Sequence, residues 1–324
     1  MRWLVTGGAG YIGAHVVRVL SASGREPVVV DDLSTGRSEK VPGDVPLHRI
    51  SVLDTAALSA VMRTERIDGV IHLAAKKSPG ESITHPWLYY RENVDGMLSL
   101  LAAMREVGVR RLVYSSSAAV YGNQDRNPIE ETFSLDPLSP YGETKVIGEW
   151  LARSSGVVDH LSWVSLRYFN VAGAAEPSLG DPGVTNLIPM VFEAIDAGRP
   201  PHIFGADYPT PDGTCIRDFV HVVDLARAHA AAAAFVEAQM GAEVLNVGRG
   251  RGASVQEVMG VIARVTGTAL VPEVAARRPG DIEASVASVE RIARVLNWRA
   301  THDLDDMVES AWGAWLARPT RGGE

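Results

Sequence analysis

The chain has 324 residues, of which 46% are hydrophobic and 22% charged, an ordinary composition for one large or two medium globular domains. Its formal net charge of −8 provides no basic footprint for nucleic acid or an anionic membrane surface, so a phosphate-bearing ligand has to be held by local groups. Cys215 is the single cysteine, which excludes an internal disulfide and a cysteine-based zinc site. No apolar run approaches about eighteen residues and no histidine pair has zinc-ligand spacing, so we expect a cytoplasmic protein without a membrane span or a bound metal.

Short apolar strands alternate with helices over the first half of the chain. Residues 3–6 predict a strand, 11–23 a helix and 27–30 a second buried strand, which together make a βαβ unit. Residues 69–73, 111–114 and 161–166 predict further strands, with a helical region from about 86 to 107. This alternation predicts an α/β fold with a doubly wound parallel sheet that helices cover on both faces.

The composition of the sequence changes after about residue 170. Proline and glycine become frequent between 177 and 213, with short helical pieces such as 186–197. We expect residues 1–170 to form a nucleotide-binding Rossmann domain, and residues 171–324 a smaller mixed α/β lobe that binds substrate over the carboxyl edge of the sheet. Residues from about 214 to 247 are expected to return in part to the first domain, since 244–247 has the pattern of an edge strand.

A glycine-rich segment, Thr6-Gly-Gly-Ala-Gly-Tyr-Ile-Gly13, joins the first strand to the first helix. In this position glycines permit a tight turn and a close approach of the backbone to a pyrophosphate, while the helix N-terminus adds amide donors. Asp31 ends the second strand, near the spacing expected of a carboxylate that binds the adenosine ribose. Asp31 and Asp32 together repel a 2′-phosphate, so the segment predicts NAD rather than NADP, although Arg37 is nearby.

Tyr141 and Lys145 form a Tyr-x-x-x-Lys pair. On a helix the two side chains project from the same face, and a nearby cation lowers the pKa of a phenol toward use as an acid or base near neutral pH. The serines 115–117 follow the predicted strand 111–114, so we expect their hydroxyls at the carboxyl edge of the sheet. A polarising hydroxyl, a base and a dinucleotide together predict redox chemistry between an alcohol and a ketone.

These motifs and a further set in the second half of the chain resemble the extended short-chain dehydrogenases/reductases, and among them most closely the UDP-glucose 4-epimerases. The resemblance spans nearly the whole chain. The first-half motifs are shared by many members, so the second-half motifs are the specific ones. They are Leu166-Arg-Tyr-Phe-Asn170, Asp207-Tyr-Pro-Thr-Pro-Asp-Gly-Thr214, Arg217-Asp-Phe-Val-His221, Arg278-Pro-Gly-Asp281 and Leu296-Asn-Trp298.

The resemblance implies a role for each matching residue. Catalysis is assigned to Ser117, Tyr141 and Lys145. Tightly bound NAD is assigned to Gly7, Gly10, Tyr11, Ile12, Gly13, Asp31, Asp32, Lys77, Asn93, Ser115, Tyr141, Lys145 and Tyr168. The UDP-hexose substrate is assigned to Ser117, Tyr141, Asn170, Asn186, Leu187, Phe204, Arg217, Arg278, Asp281 and Ser285. The two arginines in this set also fit on chemical grounds, because guanidinium groups suit diphosphate oxygens.

The resemblance further implies the interconversion of UDP-glucose and UDP-galactose. Tyr141 removes the proton of the hydroxyl at sugar carbon 4 while hydride passes to NAD⁺, the 4-keto sugar turns over, and the same hydride returns to the opposite face. This reaction requires firm anchoring of UDP and a cofactor that never leaves. The resemblance also implies a homodimer formed through helices near residues 86–107 and 141–153.

Two positions depart from the pattern of some relatives. Val52 stands where an aspartate often meets the adenine amino group, so adenine recognition is expected to use backbone amides. Ser285 stands where some members carry a large tyrosine. We expect the small side chain to admit N-acetylated sugars, UDP-GlcNAc and UDP-GalNAc, as well.

Three other functions compete with the interconversion of UDP-glucose and UDP-galactose. A 4,6-dehydratase needs carboxylates after the active serine, whereas the chain reads Ser117-Ala118-Ala119. A 4-epimerase of another UDP sugar, such as a pentose or a glucuronate, uses the same chemistry and stays open. A non-catalytic NAD-binding sensor of the same fold has no need of Ser117, Tyr141 and Lys145 together.

Overall fold

The structure, a computed structural model, describes residues 1–278 and 281–318. Its strands are β1 Arg2–Thr6, β2 Glu26–Val30, β3 Leu47–His48, β4 Gly69–His72, β5 Arg111–Ser117, β6 Ser162–Tyr168, β7 Asn170–Ala172, β8 His202–Phe204, β9 Ile216–His221, β10 Ala242–Val247, β11 Gly252–Ser254, β12 Glu273–Ala275 and β13 Ala284–Ser285. Its α-helices are α1 Tyr11–Ala22, α2 Thr55–Thr64, α3 Pro79–Thr84, α4 Pro86–Tyr89, α5 Gly96–Val107, α6 Pro140–Val158, α7 Leu187–Asp196, α8 Val222–Ala238, α9 Val255–Thr266, α10 Glu290–Leu296 and α11 Leu304–Leu316, with a π-helical segment Tyr90–Asp95 before α5.

Seven strands form a central sheet in the order β10-β6-β5-β4-β1-β2-β3. Each neighbouring pair is parallel, so the carboxyl ends of the strands meet at one edge. The strand order reverses between β1 and β4, and at such a switch point the helices leave in opposite directions and open a crevice. The sheet therefore presents its ligand-binding edge where the glycine-rich turn begins.

Both faces of the central sheet are buried, which explains the near-continuous apolar strands. Neighbouring residues of β1 point to opposite faces: Val5 packs in a cluster with residues of α1 and α8, and Leu4 packs in a cluster with residues of α2 and α5. The alanine-rich α8 lies against α1, β5 and β6, where small side chains allow the helix to approach the sheet closely. The doubly wound α/β fold predicted from the sequence is confirmed.

The second lobe is built from smaller sheets. Strand β9 is central to one of them, pairing in parallel with β7 and β13 and antiparallel with β11. Strands β8 and β12 form a parallel pair of their own. Helices α7, α9 and α11 cover this lobe through an apolar cluster that includes Phe192, Phe219 and Met307. Strand β10 lies beyond β9 in sequence, yet it pairs with β6 at the edge of the central sheet.

Strand β5 is longer than its apolar pattern predicts. The sequence predicts a strand over 111–114 followed by a serine turn, whereas β5 continues through Ser117 and pairs Ser115 and Ser117 with Leu166 and Tyr168 of β6. Hydroxyl side chains are tolerated here because ladder hydrogen bonds satisfy the backbone and neighbouring side chains satisfy the hydroxyls. The three serines are therefore held by a strand, which is more rigid than a turn.

Candidate active site

The turn between β1 and α1 has the backbone shape that a pyrophosphate needs. Gly7 has a φ of +72°, which L side chains rarely adopt. A Cβ at Gly13 would overlap the carbonyl oxygen of Gly7, so the first turn of α1 can pack against this loop only without a side chain there. No acidic residue lies in the first turn of α1. Its free amides and partial positive charge therefore face the crevice unopposed, which suits an anion.

A cleft of about 1430 Å³, including its opening to solvent, runs along the carboxyl edge of the central sheet. Its lining residues follow the ends of β1, β2 and β6 and reach the face of α6. The residues assigned to the cofactor that lie on its wall are Gly7, Gly10, Tyr11, Ile12, Gly13, Asp31, Asp32, Lys77, Tyr141, Lys145 and Tyr168. Val52 also lies on this wall, so an apolar side chain occupies the place where an adenine-binding carboxylate was considered.

Asp31 is held rigidly at the end of β2. Its carboxylate accepts hydrogen bonds from the backbone N–H groups of Ala9, at 3.0 Å, and Leu33, at 2.9 Å. Burial raises the pKa of the Asp31 carboxyl, and the two backbone donors oppose that shift. A carboxylate fixed in this way can accept hydroxyl groups of a ribose with little loss of side-chain entropy.

Two residues assigned to the cofactor lie behind the wall of the cleft. The Asn93 amide accepts from the backbone N–H of Lys76 at 2.8 Å and donates to the Thr144 hydroxyl at 2.9 Å. The Ser115 hydroxyl donates to Nε2 of His229 at 2.8 Å, because Nδ1 of that ring donates to the carbonyl of Leu225. Both side chains therefore support the wall, and their assigned contacts with the cofactor stay predictions.

Tyr141 and Lys145 lie at the inner end of the cleft and are both buried, with exposed fractions of 6% and 3%. Lys145 Nζ donates to the carbonyl oxygen of Ser115 at 2.8 Å and lies 5.9 Å from the centre of the Tyr141 ring. The Ser117 hydroxyl is close enough to the Tyr141 phenol to lower the pKa of that phenol. The predicted trio of serine, tyrosine and lysine is thus assembled across α6 and β5.

The protonation of this pair differs from the sequence prediction. Burial raises the pKa of Tyr141, and Ser117 offsets only part of that shift. Burial also lowers the pKa of Lys145 to about 8. The prediction of a lowered phenol pKa is therefore wrong for the protein groups alone, because burial outweighs the effect of Ser117 and the ammonium of Lys145 is directed at the Ser115 carbonyl.

A second pocket, of about 1000 Å³, lies in the smaller lobe between α7, β8 and β9. The substrate residues that line it are Asn170, Asn186, Leu187, Phe204, Arg217, Arg278 and Asp281. Thr185 lines both this pocket and the cofactor-sized cleft, so the two spaces meet at its side chain. The motif residues Pro279 and Gly280 lie outside the described residues.

Three of the described arginines line the pocket, and Arg217 and Arg278 are the two assigned to the substrate. Arg217 donates to the carbonyl of Ile282 at 2.8 Å and lies 3.5 Å from a carboxylate oxygen of Asp281. The Arg278 guanidinium stacks 3.7 Å from the centre of the Phe204 ring. The N-terminus of α7, which begins at Leu187, opens on the same space. Two oriented guanidinium groups and a helix N-terminus are chemically suited to an anion such as a diphosphate.

Ser285 lies on β13 and is not among the residues that line this pocket. Its Cα pairs in parallel with that of Arg217, so the two side chains share a face of the sheet. The exposed fraction of Ser285 is 9%, which leaves the small hydroxyl largely covered. A larger side chain at this position would extend along the face that carries Arg217.

Asp181 was missed by the sequence analysis. Its carboxylate accepts from the backbone N–H of Gly183 at 3.0 Å and from the Asn186 amide at 3.2 Å, and it lies 3.7 Å from Lys77 Nζ. It thereby links residues assigned to the cofactor and to the substrate. The only sequence signal is the Asp-Pro-Gly turn pattern, which predicts a local bond to Gly183 and says nothing of Lys77.

Among the described residues, no group of three or more His, Cys, Asp or Glu side chains is placed to hold a metal ion. In the same part of the chain, no helix is long and apolar enough to cross a membrane.

The turn geometry predicts that Gly13→Ala abolishes dinucleotide binding, because the added methyl group overlaps the Gly7 carbonyl and displaces α1 from the loop. The measurement is the amount of NAD released from purified, denatured protein. Gly260→Ala is the matched control: a Cβ there meets no atom within 4 Å, and we expect full NAD content with a gain of about 0.5–1 kcal/mol in the free energy of unfolding. Full NAD content in Gly13→Ala would contradict this account of the turn.

Comparison with known proteins identifies the family. The sequence model of the NAD dependent epimerase/dehydratase family matches residues 3–248. A UDP-glucose 4-epimerase from Azospirillum brasilense is 44% identical over 315 residues, which are 96% of this chain and 90% of the relative.

Two solved structures agree over almost the whole chain. A UDP-glucose-4-epimerase from Stenotrophomonas maltophila, with bound NAD and formylated UDP-arabinopyranose, is 39% identical with a TM-score of 0.94 and coverage of 98% of each chain. A UDP-glucose 4-epimerase from Brucella ovis in complex with NAD is 40% identical with a TM-score of 0.92, covering 96% of this chain and 97% of the other. The chain therefore belongs to the NAD dependent epimerase/dehydratase family.

Proposed function

We propose that the protein interconverts UDP-glucose and UDP-galactose by transient oxidation at sugar carbon 4. The observation that carries this function is Thr185, which lines both the pocket that holds Arg217 and Arg278 and the cleft that holds Tyr141 and Lys145. A nucleotide anchored in the pocket extends its sugar toward the redox residues. The names of the relatives, several of them UDP-glucose 4-epimerases, support the same reaction.

The cofactor is NAD, as the family and the NAD complexes of two neighbours support. The glycine turn and the N-terminus of α1 suit its pyrophosphate, and Asp31 suits its adenosine ribose. Asp32 adds a second carboxylate at the same edge, which disfavours a 2′-phosphate. When bound, NAD⁺ accepts and returns the hydride, and its positive charge favours the phenolate form of Tyr141.

Tyr141 is the acid and base in this proposal. As phenolate it takes the proton of the hydroxyl at carbon 4, and as phenol it returns that proton after the sugar has turned over. Ser117, whose hydroxyl lowers the pKa of the phenol, polarises the same sugar hydroxyl in this proposal. Lys145 is fixed by the Ser115 carbonyl, and its ammonium supplies positive charge near the reacting groups.

Inversion at one carbon requires the sugar to move while the nucleotide stays. Arg217, Arg278 and the N-terminus of α7 anchor the diphosphate in this proposal, and Asp281 is available to the uridine ribose. Phe204 carries the Arg278 guanidinium on its face and so keeps that cation oriented. The binding energy is concentrated on UDP, which leaves the sugar free to present either face.

The assignment predicts that Tyr141→Phe lowers epimerisation of UDP-glucose by about 10²- to 10⁴-fold, because the phenol oxygen that moves the proton is removed. UDP affinity, measured by calorimetry, is expected to stay near that of the wild type because the residues proposed to bind UDP lie in the other lobe. Tyr90→Phe is the control, since that phenol bonds Glu143 away from the wall of the cleft. Unchanged turnover in Tyr141→Phe would overturn the assignment of Tyr141. If the NAD-loaded wild type were inactive on every UDP-hexose and UDP-pentose, that result would favour a non-catalytic sensor.

We also propose that the protein accepts UDP-GlcNAc and UDP-GalNAc. Ser285 pairs with Arg217 across neighbouring strands, and Arg217 lines the proposed nucleotide pocket, so a small side chain here does not crowd that arginine. Ser285→Tyr is predicted to remove turnover of the acetylated pair while turnover of UDP-glucose stays within about threefold. Ser285→Ala, which keeps the side chain small, is expected to retain both activities. Wild type without activity on the acetylated pair would refute the proposal.

A homodimer is the assembly that we propose. Exposed apolar side chains lie on the helices assigned to the interface, with Trp87 81% and Trp150 51% exposed, and Leu98 is also exposed. Large exposed aromatic residues on neighbouring helices mark protein–protein surfaces, and a two-fold axis closes such a contact. Sedimentation is predicted to give twice the chain mass of 34.7 kDa for the wild type and the single-chain mass for Trp150→Glu. A monomeric wild type would contradict the assembly.

A further inference from the structure

Glu149 lies on the same face of α6 as the two redox residues. It follows Lys145 by one helical turn and Tyr141 by two, so the three side chains point toward β5 and β6. Its exposed fraction is 5%, which is unusual for a carboxylate. The sequence analysis assigned no role to Glu149, and it does not lie on the wall of either pocket described above.

The Glu149 carboxylate joins the catalytic helix to two strands. One oxygen accepts from the Ser116 hydroxyl at 2.6 Å, from the Ser165 hydroxyl at 3.1 Å and from Nε of Arg167 at 2.8 Å. The other oxygen accepts from a terminal nitrogen of Arg167 at 2.6 Å. Ser116 lies between Ser115 and Ser117 on β5, and Arg167 precedes Tyr168 on β6. A shift of α6 along the sheet would therefore break bonds next to each active-site strand end.

Arg167 extends the contact to a neighbouring segment. It donates to the Tyr121 hydroxyl at 2.9 Å and to the Glu131 carbonyl at 3.3 Å, and its exposed fraction is 4%. Moving both charges of such a pair out of water costs several kcal/mol, and apolar side chains of similar volume often give equal or greater stability. Stability alone is therefore a weak reason for an ion pair behind the redox residues.

The charge of Glu149 acts on Lys145. Burial lowers the pKa of Lys145 to about 8, and the negative charge of Glu149 raises it against that effect. The other groups around this lysine are neutral at working pH. His72 on β4 is neutral because burial lowers its pKa to about 3, and burial raises the pKa of Tyr114 on β5.

The remaining neighbours fit the same description. Burial lowers the pKa of His229 on α8 to about 4 and raises that of Tyr168 on β6, so both are neutral as well. The Tyr141 phenol on α6 also has a raised pKa. Arg167 on β6 keeps its charge, and that charge is paired with Glu149. The anion that supports the Lys145 ammonium is therefore Glu149.

We propose that Glu149, paired with Arg167, is a positioning residue for the redox step: it sets α6 against β5 and β6 so that Tyr141 and Lys145 meet Ser117, and it keeps Lys145 in the ammonium form. The inference rests on the proposed function, because that function gives Lys145 its task. It adds a residue that touches neither substrate nor cofactor and acts through the lysine.

Glu149→Gln tests the inference, because it keeps the shape of the side chain and removes its charge. We expect kcat for UDP-glucose to fall by about 10- to 100-fold. KM is expected to stay within about twofold, since the nucleotide ligands lie in the other lobe. The sign of the pH effect follows from the charge. Without the anion the pKa of Lys145 falls, so the ammonium is lost at a lower pH. The alkaline limb of the kcat profile therefore moves to lower pH.

Two further variants separate positioning from folding. Ser165→Ala removes one hydrogen bond to the same carboxylate without a change of charge, and its alkaline limb is expected to match the wild type. The double variant Glu149→Gln/Arg167→Met removes both charges, so no unpaired guanidinium stays buried. This double variant is measured if the single variant Glu149→Gln does not fold. It still lacks the anion that acts on Lys145, so its alkaline limb is expected to move in the same direction.

Direct titration of Lys145 by NMR, with ¹³C-labelled lysine and Lys145→Met to assign the signal, supplies a readout without turnover. A lower lysine pKa in Glu149→Gln than in the wild type supports the inference. An unchanged lysine pKa together with a wild-type kcat, after correction for NAD content, would overturn it and leave the ion pair a structural feature. A failure of the proposed function is distinguishable, because it appears as wild type inactive on every UDP-hexose whatever the lysine titration shows.

Discussion

The hydrogen bond from Lys145 Nζ to the Ser115 carbonyl, at 2.8 Å, is the contact on which the redox end of the site depends. It joins α6, which lines the cleft, to the last residues of β5 behind the cleft wall. Tyr141 lies one turn before the lysine on the same helix face, and Ser117 lies two residues beyond the carbonyl on the same strand. One buried bond thus places phenol, ammonium and hydroxyl together, and the Glu149–Arg167 pair lies directly behind it.

Burial shifts the pKa values of Tyr141 and Lys145 in opposite directions, because it disfavours the charged form of each side chain. Loss of water disfavours both the phenolate of Tyr141 and the ammonium of Lys145, as the raised and lowered pKa values indicate. In the protein alone, burial therefore favours the neutral phenol, whereas a pKa of about 8 still leaves Lys145 mainly an ammonium at neutral pH. In the proposed reaction this is useful, because a tyrosine that is a phenolate beside a cationic cofactor and a phenol once that charge is lost can exchange a proton in both directions.

The substrate lobe meets a different electrostatic need. A chain with a net charge of −8 has to bind a diphosphate with local groups, and it does so with few cations that are well oriented. Arg217 is held by a backbone carbonyl and Asp281, and Arg278 by the Phe204 ring. Such restraint reduces the entropy that binding would otherwise cost. Asp181 then connects this lobe to the cofactor wall through Asn186 and Lys77.

Local sequence signals determined the glycine turn, the alternation of strands and helices and the spacing of Tyr141 from Lys145, because each depends on residues within one or two elements. Tertiary structure alone decided three things. It extended β5 through Ser117, because pairing with β6 satisfies a backbone that the apolar pattern does not mark as strand. It raised the pKa of Tyr141, because burial depends on what packs above the residue. It gave Asp181 and Glu149 their partners, because those contacts join residues far apart in sequence, and no local pattern encodes them.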